Sequence, residues 1–212
     1  MRELVIHQSG PAASIQDSGR TGCLQLGIPP AGAMDADALA SGQYLLGHSA
    51  DEAAIEMAYG NLLASPTEPC HVAVTGAAVD LRIDGICARM HTVFRVEAGQ
   101  QIQIKPGATG VYSYLHVDGG IDTSAILGSR STSAREGVGG FDGRRLMNGD
   151  RLPLGEPTQP PSSRAGDLTH TPPGDLIKLR FVPGFQYALM RPDVSAALCE
   201  HCLLYTSPSP RD

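Results

Sequence analysis

The chain is poor in lysine and has no basic cluster. Lys105 and Lys178 are the only lysines among sixteen Lys and Arg residues in 212, and the formal net charge is -6. A surface without a Lys/Arg patch has little to offer a phosphate backbone, so nucleic acid is not an expected partner. No apolar run approaches the roughly 18 residues that a membrane-spanning helix needs. Several catalytic signatures are also missing. The GxxxxGK[ST] phosphate loop is absent, and the glycines at 137, 139, 140 and 143 miss the GxGxxG spacing and lie outside any βαβ unit. There is no G-x-S-x-G elbow, which disfavours a serine hydrolase. His7, His48, His71, His91, His116 and His170 show no HExxH-like spacing. Cys199 and Cys202 lack a second ligand pair, so no metal site is expected.

What is present is glycine, with 25 residues, and proline, with 16. Both imply many turns, and many turns favour short strands over long helices. Hydrophobic residues make up 42% and charged residues 18%, ordinary for a globular enzyme and wrong for disorder. Met1 runs directly into Arg-Glu-Leu-Val-Ile without a signal-peptide pattern, and the five cysteines are an odd number. Both observations fit free thiols in a reducing cytoplasm, where the protein is expected.

Strand character begins at Leu4 to His7, and a loop-rich stretch follows from Gln8 to Met34. Asp35 can cap a helix that runs to Leu46, with Gly47 placed for its C-terminal turn. A second helical turn is expected from Asp51 to Tyr59. From Cys70 onward the apolar period is two. Val79, Leu81 and Ile83 alternate with Asp80, Arg82 and Asp84 before Gly85, and further strands are expected at 93–96, 101–104 and 111–117. Short strands at this spacing predict a barrel or sandwich.

After Leu154 the composition changes, and prolines cluster at 157, 160, 161, 172 and 173. The expected organisation is a β-rich domain over 1–154 and a Pro/Gly-rich linker over 155–175. The start of a second β-rich half would follow over 176–198, with strand character at 177–182 and a helix after Pro183-Gly184. Residues 199–212 end in an aperiodic run that reads as a non-native tail.

The densest polar group is Ser14-Ile15-Gln16-Asp17-Ser18-Gly19-Arg20. Arg20 offers a fork for carboxylate or phosphate, and Asp17 can accept a proton or orient a donor. The plainer alternative is an Asp17–Arg20 ion pair that pins the loop. In Gly27-Ile28-Pro29-Pro30-Ala31-Gly32-Ala33-Met34-Asp35, small residues permit close backbone approach to a ligand, or simply a turn before a capped helix. Glu56 is either a buried functional carboxylate or a helix-surface residue. Ser129, Arg130, Ser131 and Thr132 offer hydroxyls, amides and a guanidinium to a phosphate or carboxylate. Gly137 to Arg144 reads as a flexible loop, and His116 as a packed histidine.

In order, the segments SIQDSGR, GIPPAGAMD, AIE, VTGA, DGGID, LGSRST, GGFDGR, GDRLPL and LRFVPGFQ resemble the allophanate hydrolase subunit 2 family, also called the biotin-dependent carboxyltransferase family. The family includes the C component of bacterial 5-oxoprolinase and the regulator KipA, and the resemblance covers about residues 4 to 190. It implies a mainly β, cyclophilin-like β-barrel with a few short helices and an incomplete second half. The implied activity is ATP-dependent opening of the 5-oxoproline lactam to glutamate. ATP, with Mg, would act in a hetero-oligomeric complex with a subunit 1-like protein (the B component of 5-oxoprolinase) and the A component. The resemblance equally admits a biotin-dependent carboxyltransferase acting on urea or a similar amide, with biotin on a separate carrier, or a KipA-like binding module. The implied catalytic candidates are Gln16, Asp17, Arg20 and Asp35. Ser129, Arg130, Ser131 and Thr132 are the candidates for substrate or phosphate binding. Family members run on through a Ser-Asp-Arg-Met-Gly-like segment and a Gly-Gly-Tyr-Pro-like ending that this sequence lacks, and Phe185 and Tyr187 stand where a Pro-Gln-Asp run is usual.

Overall fold

The computed structural model describes residues 2–48, 52–157, 182–194 and 196. The chain divides into two compact units, Met1–Pro172 and Pro173–Asp212. The first unit is built from β1 (Glu3–Ser9), β2 (Ala13–Gln16), α1 (Ala36–Leu46), β3 (Ala54–Ala58), β4 (Leu62–Pro66), β5 (Cys70–Gly76), β6 (Val79–Ile83), β7 (Ile86–Ala88), β8 (Phe94–Val96), β9 (Ile102–Pro106), β10 (Tyr112–Val117) and β11 (Arg151–Pro153). In the second unit the described residues form a 3-10 helix, Phe185–Leu189, after which Met190 is extended and helix resumes over 192–194. The expected helix is therefore interrupted at Met190 rather than continuous. Most of the expected linker, all but the last residue of the expected strand at 177–182, and the tail from 199 lie outside the described residues.

The strands form two antiparallel sheets, ordered β11-β1-β4-β9-β6-β7 and β2-β3-β10-β5-β8. Both turn apolar side chains into one core: Leu4, Ile6, Leu62, Ile102 and Ile104 from the first, Ile15, Ile55, Val72, Val74 and Leu115 from the second. This is the expected mainly β architecture. Local chemistry explains its sharpest turn. Asp84 and Gly85 have φ of 48 and 79 between β6 and β7, so an Asp-Gly pair supplies the two left-handed residues of a tight hairpin.

The five-stranded sheet is covered on its second face as well. Helix α1 starts on Asp35, whose carboxylate accepts from Ala38 N at 2.9 Å, and stops at Gly47 with φ of 69. Its Ala38 and Leu39 pack on Ala54 and Tyr114, and its Leu45 and Leu46 pack on Ala73. Burial on both faces explains why β3 and β5 are nearly continuously buried rather than alternating. It also explains a correction. The segment 51–59 reads as helical, since Ala, Glu and Met are good helix formers, yet Ala54–Ala58 is a strand held between β2 and β10. Cross-strand pairing and two-sided burial outweigh a preference of only tenths of a kcal/mol per residue.

His116, on the helix-covered face of β10, is fully buried. The Thr75 hydroxyl donates to Ala38 O at 2.7 Å, so His116 Nε2, 3.2 Å from the same hydroxyl, carries the ring proton. Burial, aided by the charge of His48, pushes the imidazole down to about 3. Burial also lowers His48, against the opposing pull of Glu52 and Asp118. Cys23 and Cys70 are buried free thiols and Cys87 an exposed one. Burial, with the negative charge of Asp118, pushes the Cys70 thiol up to about 12. Among the described residues, no helix is long and apolar enough to cross a membrane.

Two outcomes follow from this face. A Cβ at Gly42 would overlap the His116 ring. Gly42→Ala should therefore lower the denaturant midpoint, because overpacking at about 1–3 kcal/mol exceeds the roughly 1 kcal/mol that alanine gains within a helix. A raised midpoint would show that the ring yields. Because the unfolded chain binds a proton at His116 before the folded one does, stability should be full above about pH 6.5 and fall as the pH drops towards about 3. Denaturation at pH 7, 5 and 4 measures that slope, which His116→Leu should reduce.

Candidate active-site region

Strand β2 is an edge of its sheet, and the long connection between β10 and β11 covers it. Thr132 N and Oγ1 both donate to Ile15 O at 2.9 Å, and Leu146 N donates to Ala13 O at 2.9 Å. This covering blunts the exposed edge. It also carries Ser129 to Thr132 across to the residues that leave β2.

The centre of that junction is the Asp17 carboxylate. Oδ1 accepts from Gly19 N at 2.8 Å, Ser129 Oγ at 2.6 Å and Ser131 Oγ at 2.5 Å, and Oδ2 accepts from Arg130 N at 2.5 Å. Ser131 Oγ also accepts from Asp17 N, and Ser129 Oγ from Ser131 N. Burial pushes this carboxyl up, but donation from the two hydroxyls and the two amides outweighs it and holds the group below the usual carboxylate range. Asp17 is thus a buried anion whose acceptor sites are filled.

Arg20 behaves differently. It is 2% exposed, and its Nη2 donates to Ser131 O at 2.5 Å. Its Nε and Nη1 have no hydrogen-bond partner among the described residues. The Asp17–Arg20 ion pair expected as the plainer reading is not formed, because the serines and amides have taken the carboxylate. Gln16 donates to Ser14 Oγ and Thr132 O, while its Oε1 has no partner among the described residues. Unsatisfied polar atoms this deep are costly unless something occupies them.

The other expected residues are placed as follows. Ser129, Arg130, Ser131 and Thr132 do come together with Gln16, Asp17 and Arg20. Their hydroxyls, however, serve Asp17 and Ile15 O rather than an open phosphate cradle. The Arg130 guanidinium reaches Asp122 Oδ1 at 2.7 Å. Asp35 is engaged as the cap of α1, and its N–H donates to the Tyr114 hydroxyl at 2.8 Å. Glu56 is a buried strand residue and not a helix-surface one; its Oε2 accepts from the Tyr114 hydroxyl and from Met34 N, each at 2.7 Å. Burial raises the Tyr114 hydroxyl well above its ordinary value, with further upward pressure from Glu56. The Glu56–Tyr114 pair thus ties the Gly27–Asp35 segment to the sheet, where Ala33 N donates to Asp17 O at 3.0 Å.

A cleft of about 470 Å³ opens beside this junction between Asp122–Ser124 and the glycine loop 137–143. The loop is tied rather than open. Gly140 N donates to Arg130 O, and Gly143 N to Gly139 O, each at 2.8 Å. Gly139 (φ 74) lies against Arg20 Nη2 and Ser131 O, leaving no space for a side chain. Sequence reading missed the cleft, although the glycine spacing was visible.

Against known proteins, the profile of the family described as "Carboxyltransferase domain, subdomain A and B" matches residues 26–211. The chain belongs to this carboxyltransferase domain family. It is 38% identical over 153 residues to the C component of 5-oxoprolinase from Escherichia coli (strain K12), covering 72% of this chain and 49% of that protein. It is 32% identical over 172 residues to the urea amidolyase of Lachancea kluyveri, covering 79% of this chain and 9% of that protein. Among solved structures it superposes on TTHA0988 with a TM-score of 0.81 at 27% identity, over 94% of this chain and 39% of that one. The chain spans about half the length of the 5-oxoprolinase C components it matches.

Replacing Asp17 with asparagine turns an N–H group towards donors that now converge on oxygen. Asp17→Asn should cost about 1.5–3 kcal/mol or more of stability, since hydrogen bonds to charged groups are lost. The part of the acid sensitivity that Asp17 contributes, present above about pH 4 and lost as pH falls through its lowered folded value, should disappear with it. Denaturant unfolding at pH 7 and pH 3 checks both.

Proposed function

We propose that this chain is part of a cytoplasmic 5-oxoprolinase that opens the 5-oxoproline lactam to glutamate at the expense of ATP, in complex with partners like the A and B components of that enzyme. The reading draws on the likeness to the C component of 5-oxoprolinase. The observation that carries it is the buried Arg20 guanidinium, two of whose nitrogens have no partner among the described residues while Gly139 separates it from the cleft. A buried cation with free donors suits a small carboxylate, and 5-oxoproline carries one.

An unstrained amide is a poor electrophile, and activating its oxygen with a phosphoryl group would make ring opening by water feasible. The cleft of this chain does not fit the phosphates. Among the described residues no Lys, Arg or His lines it, Asp122 and Asp142 do, and the Ser129, Ser131 and Thr132 hydroxyls are already committed. We assign the nucleotide to another part of the assembled complex. This chain's share is to bind and orient the substrate: Arg20 takes the carboxylate, and the glycine loop brings backbone close to the ring. Asp17, Ser129, Ser131 and Thr132 act through positioning, holding the loop and Arg20 in register. Gln16 offers one side-chain carbonyl without a partner among the described residues, and Asp35 fixes the helix start.

The likeness to urea amidolyases favours a second reading, carboxyl transfer to a small amide from biotin on a separate carrier. A full-length protein containing this segment, co-expressed with its partners and given 5-oxoproline and ATP, separates the two. Glutamate release with KM raised at least tenfold in Arg20→Ala, and partly restored in Arg20→Lys, is the expected result. Absence of glutamate, with carboxyl transfer from a biotin carrier to urea, would replace the first reading by the second.

A further inference from the structure

We infer that the cleft between Asp122–Ser124 and the glycine loop 137–143 is the receptor for a neutral amide head group, with the Thr123 hydroxyl donating to its carbonyl and the Asp122 carboxylate accepting its N–H. The inference deepens the proposed function and rests on it for the identity of the substrate, but the chemistry of the cleft carries it.

Thr123 borders the cleft and is 7% exposed, yet its hydroxyl has no hydrogen-bond partner among the described residues. A buried hydroxyl left without a partner is destabilising unless a ligand supplies one. Beside it, Asp122 keeps one carboxylate oxygen on Arg130 Nη2 at 2.7 Å, and its side chain remains half exposed. The two walls are fixed. Asp122 N donates to Pro153 O at 2.8 Å, and Arg130 links both sides through its carbonyl on Gly140 N and its guanidinium on Asp122.

Electrostatics decides the class of ligand. Among the described residues the lining has two carboxylates, Asp122 and Asp142, and no cation. Of the guanidiniums nearby, Arg130 binds Asp122 through Nη2, Arg144 binds Asp150 at 2.8 Å to each carboxylate oxygen while it covers the Phe141 ring, and Gly139 stands between the cleft and Arg20. Left-handed glycines can aim amides at an anion. Here, however, Val138, Gly140 and Gly143 all donate within the chain. A phosphate chain would meet negative rims without compensation, and so would a ligand that is anionic throughout. A group with a carbonyl and an adjacent N–H matches a free hydroxyl beside a carboxylate. The volume, about 470 Å³, is within the usual range for small-molecule sites.

The test is a titration of the full chain by NMR with 2-pyrrolidinone, a lactam without a carboxylate, and in parallel with ATP and 5-oxoproline. 2-Pyrrolidinone should bind in the millimolar range and shift amides of the 137–143 loop. Thr123→Val should weaken it at least tenfold, while Thr123→Ser, which keeps the hydroxyl, should bind as the parent does. The melting temperature of Thr123→Val should be unchanged or raised, since the lost hydroxyl has no partner among the described residues. Undiminished binding in Thr123→Val, or displacement of 2-pyrrolidinone from the loop by ATP, would overturn the inference. Thr123-dependent binding in a protein whose complex releases no glutamate would leave the inference standing and remove the oxoprolinase reading instead.

Discussion

A single buried carboxylate sets the geometry of this region. Asp17 leaves an edge strand and collects two serine hydroxyls and two backbone amides, three of these donors coming from more than a hundred residues away in sequence. A buried anion without these donors would be strongly destabilising, and the donors without the anion would be stranded; each half makes the other tolerable. Because the distant donors come from consecutive residues, Ser129 to Ser131, satisfying Asp17 also fixes the path of the backbone there. Arg130 then passes the constraint outward, through its carbonyl to the glycine loop and through its guanidinium to Asp122. The cleft walls are thus placed by a hydrogen-bond network that no ligand need touch.

The sheet beneath supplies rigidity of another kind. Its two-sided burial under α1 and against the main core leaves room for only a few polar side chains, and several have a defined task. Glu56 and Tyr114 hold the segment that leads into α1. Thr75 and His116 fill the space beneath Gly42 in a neutral pair whose ring is kept uncharged by burial. Arg2 and His71 converge on Asp118 at the end of β10, where the connection to the site begins. Glycines at 42, 139 and 143 accordingly serve close approaches between segments rather than looseness.

Within that frame, Arg20 and Asp17 divide the labour that their proximity in sequence suggests they share. The carboxylate is saturated and structural, whereas two guanidinium nitrogens have no partner among the described residues. This asymmetry is the reason the proposed function leans on Arg20 and assigns Asp17 a positioning role. The same distinction separates Thr123, whose hydroxyl has no partner among the described residues, from Ser129 and Ser131, whose hydroxyls are committed.

Much of this was legible from residue order. The alternation in Val79–Ile83, the Asp84-Gly85 turn, the Asp35 cap and the Gly47 stop are local effects, set by pleat, φ and capping chemistry, and they appear as read. So does the mainly β class, because turn density and period two are properties of the chain alone. The motif order likewise pointed to the family and offered Gln16, Asp17, Arg20, Asp35 and Ser129–Thr132 as site candidates. Residues 54–58 could not be read correctly, since their helix-forming composition is overruled by partners on both sides that only folding brings. Nor could the sequence say that Asp17 would choose serines over Arg20, that Glu56 would bind Tyr114, or that Thr123 would lack a partner among the described residues. Those outcomes depend on which donor and acceptor meet across long separations, and composition and spacing carry no information about that; three-dimensional packing alone decides it.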